Sequence, residues 1–155
     1  MAQITAALVK QLREMTDSPM MECKRALVEA DGDIEAAVDV LRRMGIAKAV
    51  KRAGRDTNEG TIAAYVSEDG KSGALLELTC ETDFVGMNDK FKAFAEKIAR
   101  AAIAAKPADL EALKAAELEG ETVEAIVTEC IHIMGENTQL TRFAVLEGGV
   151  VASYI

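Results

Sequence analysis

The chain has 155 residues, enough for one ordinary domain or two small ones, and it is half hydrophobic and 28% charged, which is globular composition. A net charge of −8 argues against gripping nucleic-acid backbones by bulk electrostatics, and no apolar run approaches the length of a membrane span. Cys23, Cys80 and Cys130 are three, an odd number and widely spaced, which points to reduced thiols in a cytoplasm. The opening residues, MAQITAALVKQL, lack the basic start and unbroken apolar run of a secretion signal. Aromatics make up only 4% with no Trp, so the core must come from Ala, Leu, Ile, Val and Met.

The first third reads as helices. Ile4, Leu8, Leu12 and Met15 share one helical face, and Thr5 is placed to cap it. Ser18 as N-cap and Pro19 as first helical residue predict a second helix with Cys23, Ala26, Leu27 and Ala30 inward. Asp31-Gly32-Asp33 stops that helix and caps a third, carried by Ile34, Ala37, Val38 and Leu41. Gly45 offers a stop, with an amphipathic basic stretch beyond it. Three helices in roughly 45 residues sit near the lower limit for folding alone. We therefore take residues 1–53 as a helical domain and the polar, glycine-bounded GRDTNEG at 54–60 as a linker.

Residues 61–155 read differently. TIAAYVS (61–67) and GALLELT (73–79) are predicted strands, joined by a hairpin loop in which Gly70 is free to take positive φ. Phe91, Phe94, Ala95, Ile98 and Ala102 mark a long helix. Pro107 opens a weaker helical region, and residues 122–134 form another helix closed by Gly135. LTRFAVL (140–146) is a third strand. After Gly148-Gly149, VVASYI starts a fourth. A hairpin, then helices, then further strand is the order of an α+β domain: an antiparallel sheet covered by helices on one face. A strand left open at its edge invites pairing, by further chain or by a second copy in a homodimer.

The chain offers little for catalysis. It has no Walker loop, no GxGxxG and no CxxC. His132 is the only histidine and lies between two isoleucines, as a structural residue would. Cys80 follows an apolar strand, as a buried thiol would. We expect neither an enzyme nor a bound cofactor or metal. Two local oddities remain. Met20 and Met21 are adjacent, so on a helix they cannot both face one core, and flexible Met suits contact surfaces. In the TCETDFVGMND stretch, Asp83-Phe84 arrives just where a strand ends. Asp83 could cap the following helix with Phe84 packed on Phe91, or Asn88 or Asp89 could be the cap and leave Asp83 free.

Several ordered segments carry a resemblance. ITAALVKQLRE, PMMECKRAL, ADGDIEAAVDVLR, IAKAVKRAGR, TDFV, GENTQLTRFAVLEG and the final ASY together resemble the bacterial elongation factor Ts family along essentially the entire chain. The resemblance implies a UBA-like three-helix domain at the N-terminus. It implies a cytoplasmic guanine-nucleotide exchange factor for elongation factor Tu, the GTPase that delivers aminoacyl-tRNA to the ribosome. Asp83 and Phe84, flanked by Thr82 and Val85, would push into the GTPase domain near its magnesium and phosphate site. Leu12, Met20 and Met21 would hold a helix of the same GTPase domain. No direct contact with nucleic acid or membrane is implied. Many family members continue into a second core subdomain, before which this chain stops at Ile155, and shorter members can act as dimers. The alternative is a UBA-type adaptor for ubiquitin or helical peptides. Its usual Met-Gly-aromatic loop is replaced here by MTDSPMM, which tells against it.

Overall fold

A computed structural model describes residues 1–155. Helix α1 (Ala6–Thr16) is capped by Thr5, whose side chain accepts from the Leu8 amide at 3.2 Å and so satisfies one of the orphan donors of the first turn. Helix α2 (Met20–Glu29) has Pro19, not Ser18, at its cap position, and no side-chain cap bond; the Pro19 carbonyl takes the Glu22 and Cys23 amides at 3.0 Å. Ser18 is buried instead, with its hydroxyl on the His132 ring. Local capping chemistry is overridden by a contact 114 residues away. Helix α3 (Ile34–Arg52) is capped by Asp33 and runs straight through Gly45. Gly45 is no stop: it lets α3 approach another helix, where an added Cβ would lie 3.4 Å from the His132 Cβ. Val9, Leu12, Cys23, Ala26, Leu27, Ala37, Val40 and Leu41 form the core of this three-helix bundle.

The sheet unit begins with β1 (Glu59–Val66) and β2 (Ser72–Cys80), an antiparallel hairpin that registers Ala63 with Leu76 and Tyr65 with Ala74. Gly70 takes φ +67 in its turn. After β2 come a single turn of helix, α4 (Asp83–Gly86), and the long α5 (Asp89–Ala105), capped by Asn88. Then follow α6 (Leu110–Ala115), β3 (Glu117–Leu118), β4 (Glu121–Thr122), α7 (Val123–Met134) and β5 (Thr138–Glu147). The tiny β3–β4 hairpin falls where sequence periodicity indicates only weak helix. Its alternation is too short to register, although Gly120 at φ +86 marks the turn.

The main sheet has the order β1-β2-β5 and is antiparallel throughout. Along β2, Ala74, Leu76, Leu78 and Cys80 point inward, as strand alternation requires. They meet Phe91, Ala95, Ile98 and Ala102 of α5 and Val123, Ile126 and Cys130 of α7 in one core. The opposite face is uncovered and leaves Ile62 and Leu75 exposed. The architecture is therefore α+β with helices on one side. The fourth strand expected in VVASYI is not formed. Val151 instead donates its amide to the Gly70 carbonyl at 2.7 Å and lays its side chain on Gly73.

Candidate functional site

Strand β2 lies in the middle of the sheet and ends at Cys80, so whatever follows it is aimed by a strand bonded on both sides. Thr82 is the pivot. Its hydroxyl accepts from the Val85 amide at 3.4 Å and starts α4. The same residue is gripped by Glu136 from the α7–β5 connection, which takes the Thr82 amide at 3.0 Å and the hydroxyl proton at 2.7 Å. Glu81 reaches back across the same gap to the Asn137 amide at 2.7 Å, and Asn137 Nδ2 donates to the Arg55 carbonyl at 2.8 Å. Gly86 seats the turn on β1: an added Cβ would come 2.9 Å from the Gly60 carbonyl oxygen. Val85 packs on the main core. The two residues between these fixings are held out. Asp83 is exposed and Phe84 is 79% exposed, with Met87 beside them also exposed. Phe84 does not pack with Phe91, which is fully buried, and the cap of α5 is Asn88.

On the bundle, Met20 and Met21 are 53% and 62% exposed in the first turn of α2. Leu12 is different. It is fully buried in the bundle core and packs there in the chain by itself. Its place on the inward stripe with Val9 sends it against α2 and α3 rather than to the surface. One groove is lined by Pro19 and Met20 on the bundle side and by Asn88 and Lys90 on the other. The start of α2 and the turn after α4 therefore border a common depression. Sequence reasoning missed Glu136, whose only signal is its place in the GENTQ segment.

The titratable groups do not assemble a reaction centre. All three cysteines are free and buried. Burial, helped by the Glu136 charge, pushes the Cys80 thiol up to about 11, and burial pushes Cys130 up to about 12. Ser18, His132 and Glu22 come together, with the His132 Nε2 3.1 Å from Ser18 Oγ and 3.2 Å from Glu22 Oε2. A nucleophile relay needs the acid on the opposite ring nitrogen. Here both groups crowd Nε2, Nδ1 has no partner, and serine and ring are buried. No cluster of three or more His, Cys, Asp or Glu is placed to hold a metal ion. No helix is long and apolar enough to cross a membrane.

The helical bundle and the α+β unit thus each present exposed apolar side chains, Met20 and Met21 on one and Phe84 on the other. Comparison with known proteins gives the family. The profile of the family Elongation factor TS matches residues 81–155. The chain is 53% identical to Elongation factor Ts of Alkalilimnicola ehrlichii over 154 residues, covering 98% of this chain and 53% of that protein. It is 51% identical to Elongation factor Ts of Halorhodospira halophila over 153 residues, with the same coverage. For Elongation factor Ts of Yersinia pestis the figure is 52% over 155 residues, all of this chain and 52% of the relative. The chain belongs to the elongation factor Ts family and spans about half the length of the relatives it matches.

Proposed function

We propose that this chain acts in translation elongation as a guanine-nucleotide exchange factor, binding the GTPase domain of elongation factor Tu and speeding GDP release. The observation that carries the reading is Phe84: a large apolar ring left 79% exposed on a turn clamped at Thr82, Val85 and Gly86. Isolated exposed apolar residues need no explanation, but a ring held outward by a built seat is suited to entering a partner. Phe supplies apolar bulk that can wedge a packed interface, and Asp83 brings a negative charge beside it. In a GTPase the magnesium ion ties nucleotide phosphate to protein, so disturbing its surroundings weakens the nucleotide strongly. A hundredfold weakening of GDP requires about 2.7 kcal/mol of coupling, within the range of known linkage. Reciprocity then makes GDP weaken binding of this chain by the same factor. Met20 and Met21 are the anchor, with flexible side chains that adapt to an apolar helix face. The chain itself makes and breaks no bonds in this role.

The test is release of labelled GDP from elongation factor Tu. Phe84→Ala is expected to change folding stability by no more than about 0.5 kcal/mol, as surface substitutions do. It should still slow release at saturating factor about tenfold or more, and Asp83→Ala should act in the same direction. Met20→Ala with Met21→Ala should instead raise the half-saturating concentration, since buried interface anchors are worth about 1–3 kcal/mol. Release by Phe84→Ala at the rate of the parent chain would sink the wedge.

A further inference from the structure

The hydrophobic cores of the bundle and the sheet unit share no residue, and the two parts meet where α3 packs along α7 at Gly45. Where α3 lies along α7, a cavity of about 540 Å³ opens, lined by Leu41, Ile46, Ala125 and Glu129 among others. What crosses this junction most closely is polar. His132 of α7 is 5% exposed, and its Nε2 meets Ser18 from the α1–α2 turn and Glu22 from α2. Glu22 also pairs with Lys48 of α3, and Arg52 of α3 donates to the Ile131 carbonyl at 3.1 Å. One ring thus ties α7 to the α1–α2 turn and to α2, and through Glu22 to α3. The ring makes one hydrogen bond, with the Ser18 hydroxyl, while the nearby Glu22 Oε2 and the ring Nδ1, which lies beside Gly45, have no hydrogen-bond partner. A further link, Lys90 to Asp17 at 2.6 Å, has both side chains about half exposed, and surface pairs of that kind hold little.

We propose that His132, Ser18 and Glu22 form a latch that fixes the bundle on the sheet unit and thereby sets the separation between Met20–Met21 and Phe84. The proposal rests on the exchange reading for what that separation is for. Two contacts on one rigid body bind with the second already intramolecular, at an effective concentration set by how well the frame holds its geometry. Parting the latch strips the buried Ser18 hydroxyl and the His132 ring of their shared hydrogen bond, which favours the closed arrangement of the junction. A loosened junction keeps both surfaces but lowers the chance that they meet the partner together. His132 is a positioning residue in this scheme and touches no substrate.

The experiment uses the full chain with spin labels at Arg25→Cys and Lys92→Cys; the native thiols are buried and do not compete. The distance between labels is expected to be narrowly distributed in the parent and in His132→Gln, which keeps an N–H near the Nε2 position. It should broaden in His132→Leu and, as a second variant against misfolding, in Ser18→Ala. In GDP release from elongation factor Tu, His132→Leu should raise the half-saturating concentration about tenfold with the maximal rate within about twofold, and His132→Gln should restore it. Narrow distances in folded His132→Leu and Ser18→Ala would overturn the latch. Broadened distances with unchanged half-saturation would overturn its link to partner engagement. If the parent releases no GDP, the exchange reading falls, while the label distances still decide the latch.

Discussion

The core cluster of the helical bundle has eight buried apolar residues and no aromatic ring, whereas that of the sheet unit has 15 around Phe91. A core of the first kind is near the smallest that folds, and one of the second kind is self-sufficient. The difference matches what each part presents. The bundle shows methionines on the surface of a regular helix, where nothing special has to be held. The sheet unit holds Phe84 outward on a turn fixed by Glu136, Gly60 and the core, which only a rigid support can do. The larger core thus supports the side chain that is held in a fixed direction, and the smaller body presents side chains that need no such support.

Truncating each core sharpens this contrast most. Phe91→Ala should cost about 3–5 kcal/mol and Leu12→Ala about 2–5 kcal/mol, the range for large buried side chains. Hydrogen exchange should show the second change opening the bundle while the strands stay protected. Opening of both parts together by Leu12→Ala would mean they are a single cooperative unit.

Acid acts on the junction between them. Burial, then the charges of Lys48 and Arg52, bring His132 down to about 4, with Glu22 also facing the ring and already paired to Lys48. The unfolded chain takes up this proton near the ordinary histidine value of about 6.5, which the folded state refuses until about pH 4. Stability from this residue is therefore present above about pH 6.5 and lost as pH falls toward 4, by on the order of 1–3 kcal/mol. Denaturant titrations of the parent and His132→Gln across that window should diverge as pH falls. Carboxylates such as Glu77, held low by Thr141 and Arg142, lose stability with acid in both proteins and cancel in the difference. Parallel curves would place the ring's charge change elsewhere.

The smallest expected effect tests the seat of Phe84. Glu136→Ala removes two bonds to Thr82 and should lower stability by about 1–2 kcal/mol, read from chemical denaturation. GDP release should slow without any change in the bundle's hydrogen exchange. Normal release would mean that the capping bond from Thr82 to Val85 suffices to aim the turn.

Much of the frame is legible in the sequence because it rests on local chemistry. The caps Thr5, Asp33 and Asn88, the Gly70 hairpin and the apolar stripe of α5 are all set by residues within a few positions of one another. The departures have tertiary causes. Ser18 reads as a cap until His132 takes its hydroxyl. Gly45 reads as a stop until a neighbouring helix needs its missing Cβ. The exposure of Phe84 is undecidable from spacing, because Thr82, Asp83 and Asn88 are all able to cap. It is settled by Glu136, more than fifty residues downstream, choosing Thr82.

Gly86 lies under the α4 turn with no room for a methyl group above the Gly60 backbone. It works as a shim of zero thickness between the sheet and the side chain that leaves it. Height and length of the projection are therefore separate variables in this protein. The ring at position 84 fixes how long it is, and the residue at 86 fixes how far out its base stands. A residue with a side chain at 86 would have to displace the turn or the strand beneath it, so the seat of the phenyl ring is adjustable without altering the ring itself.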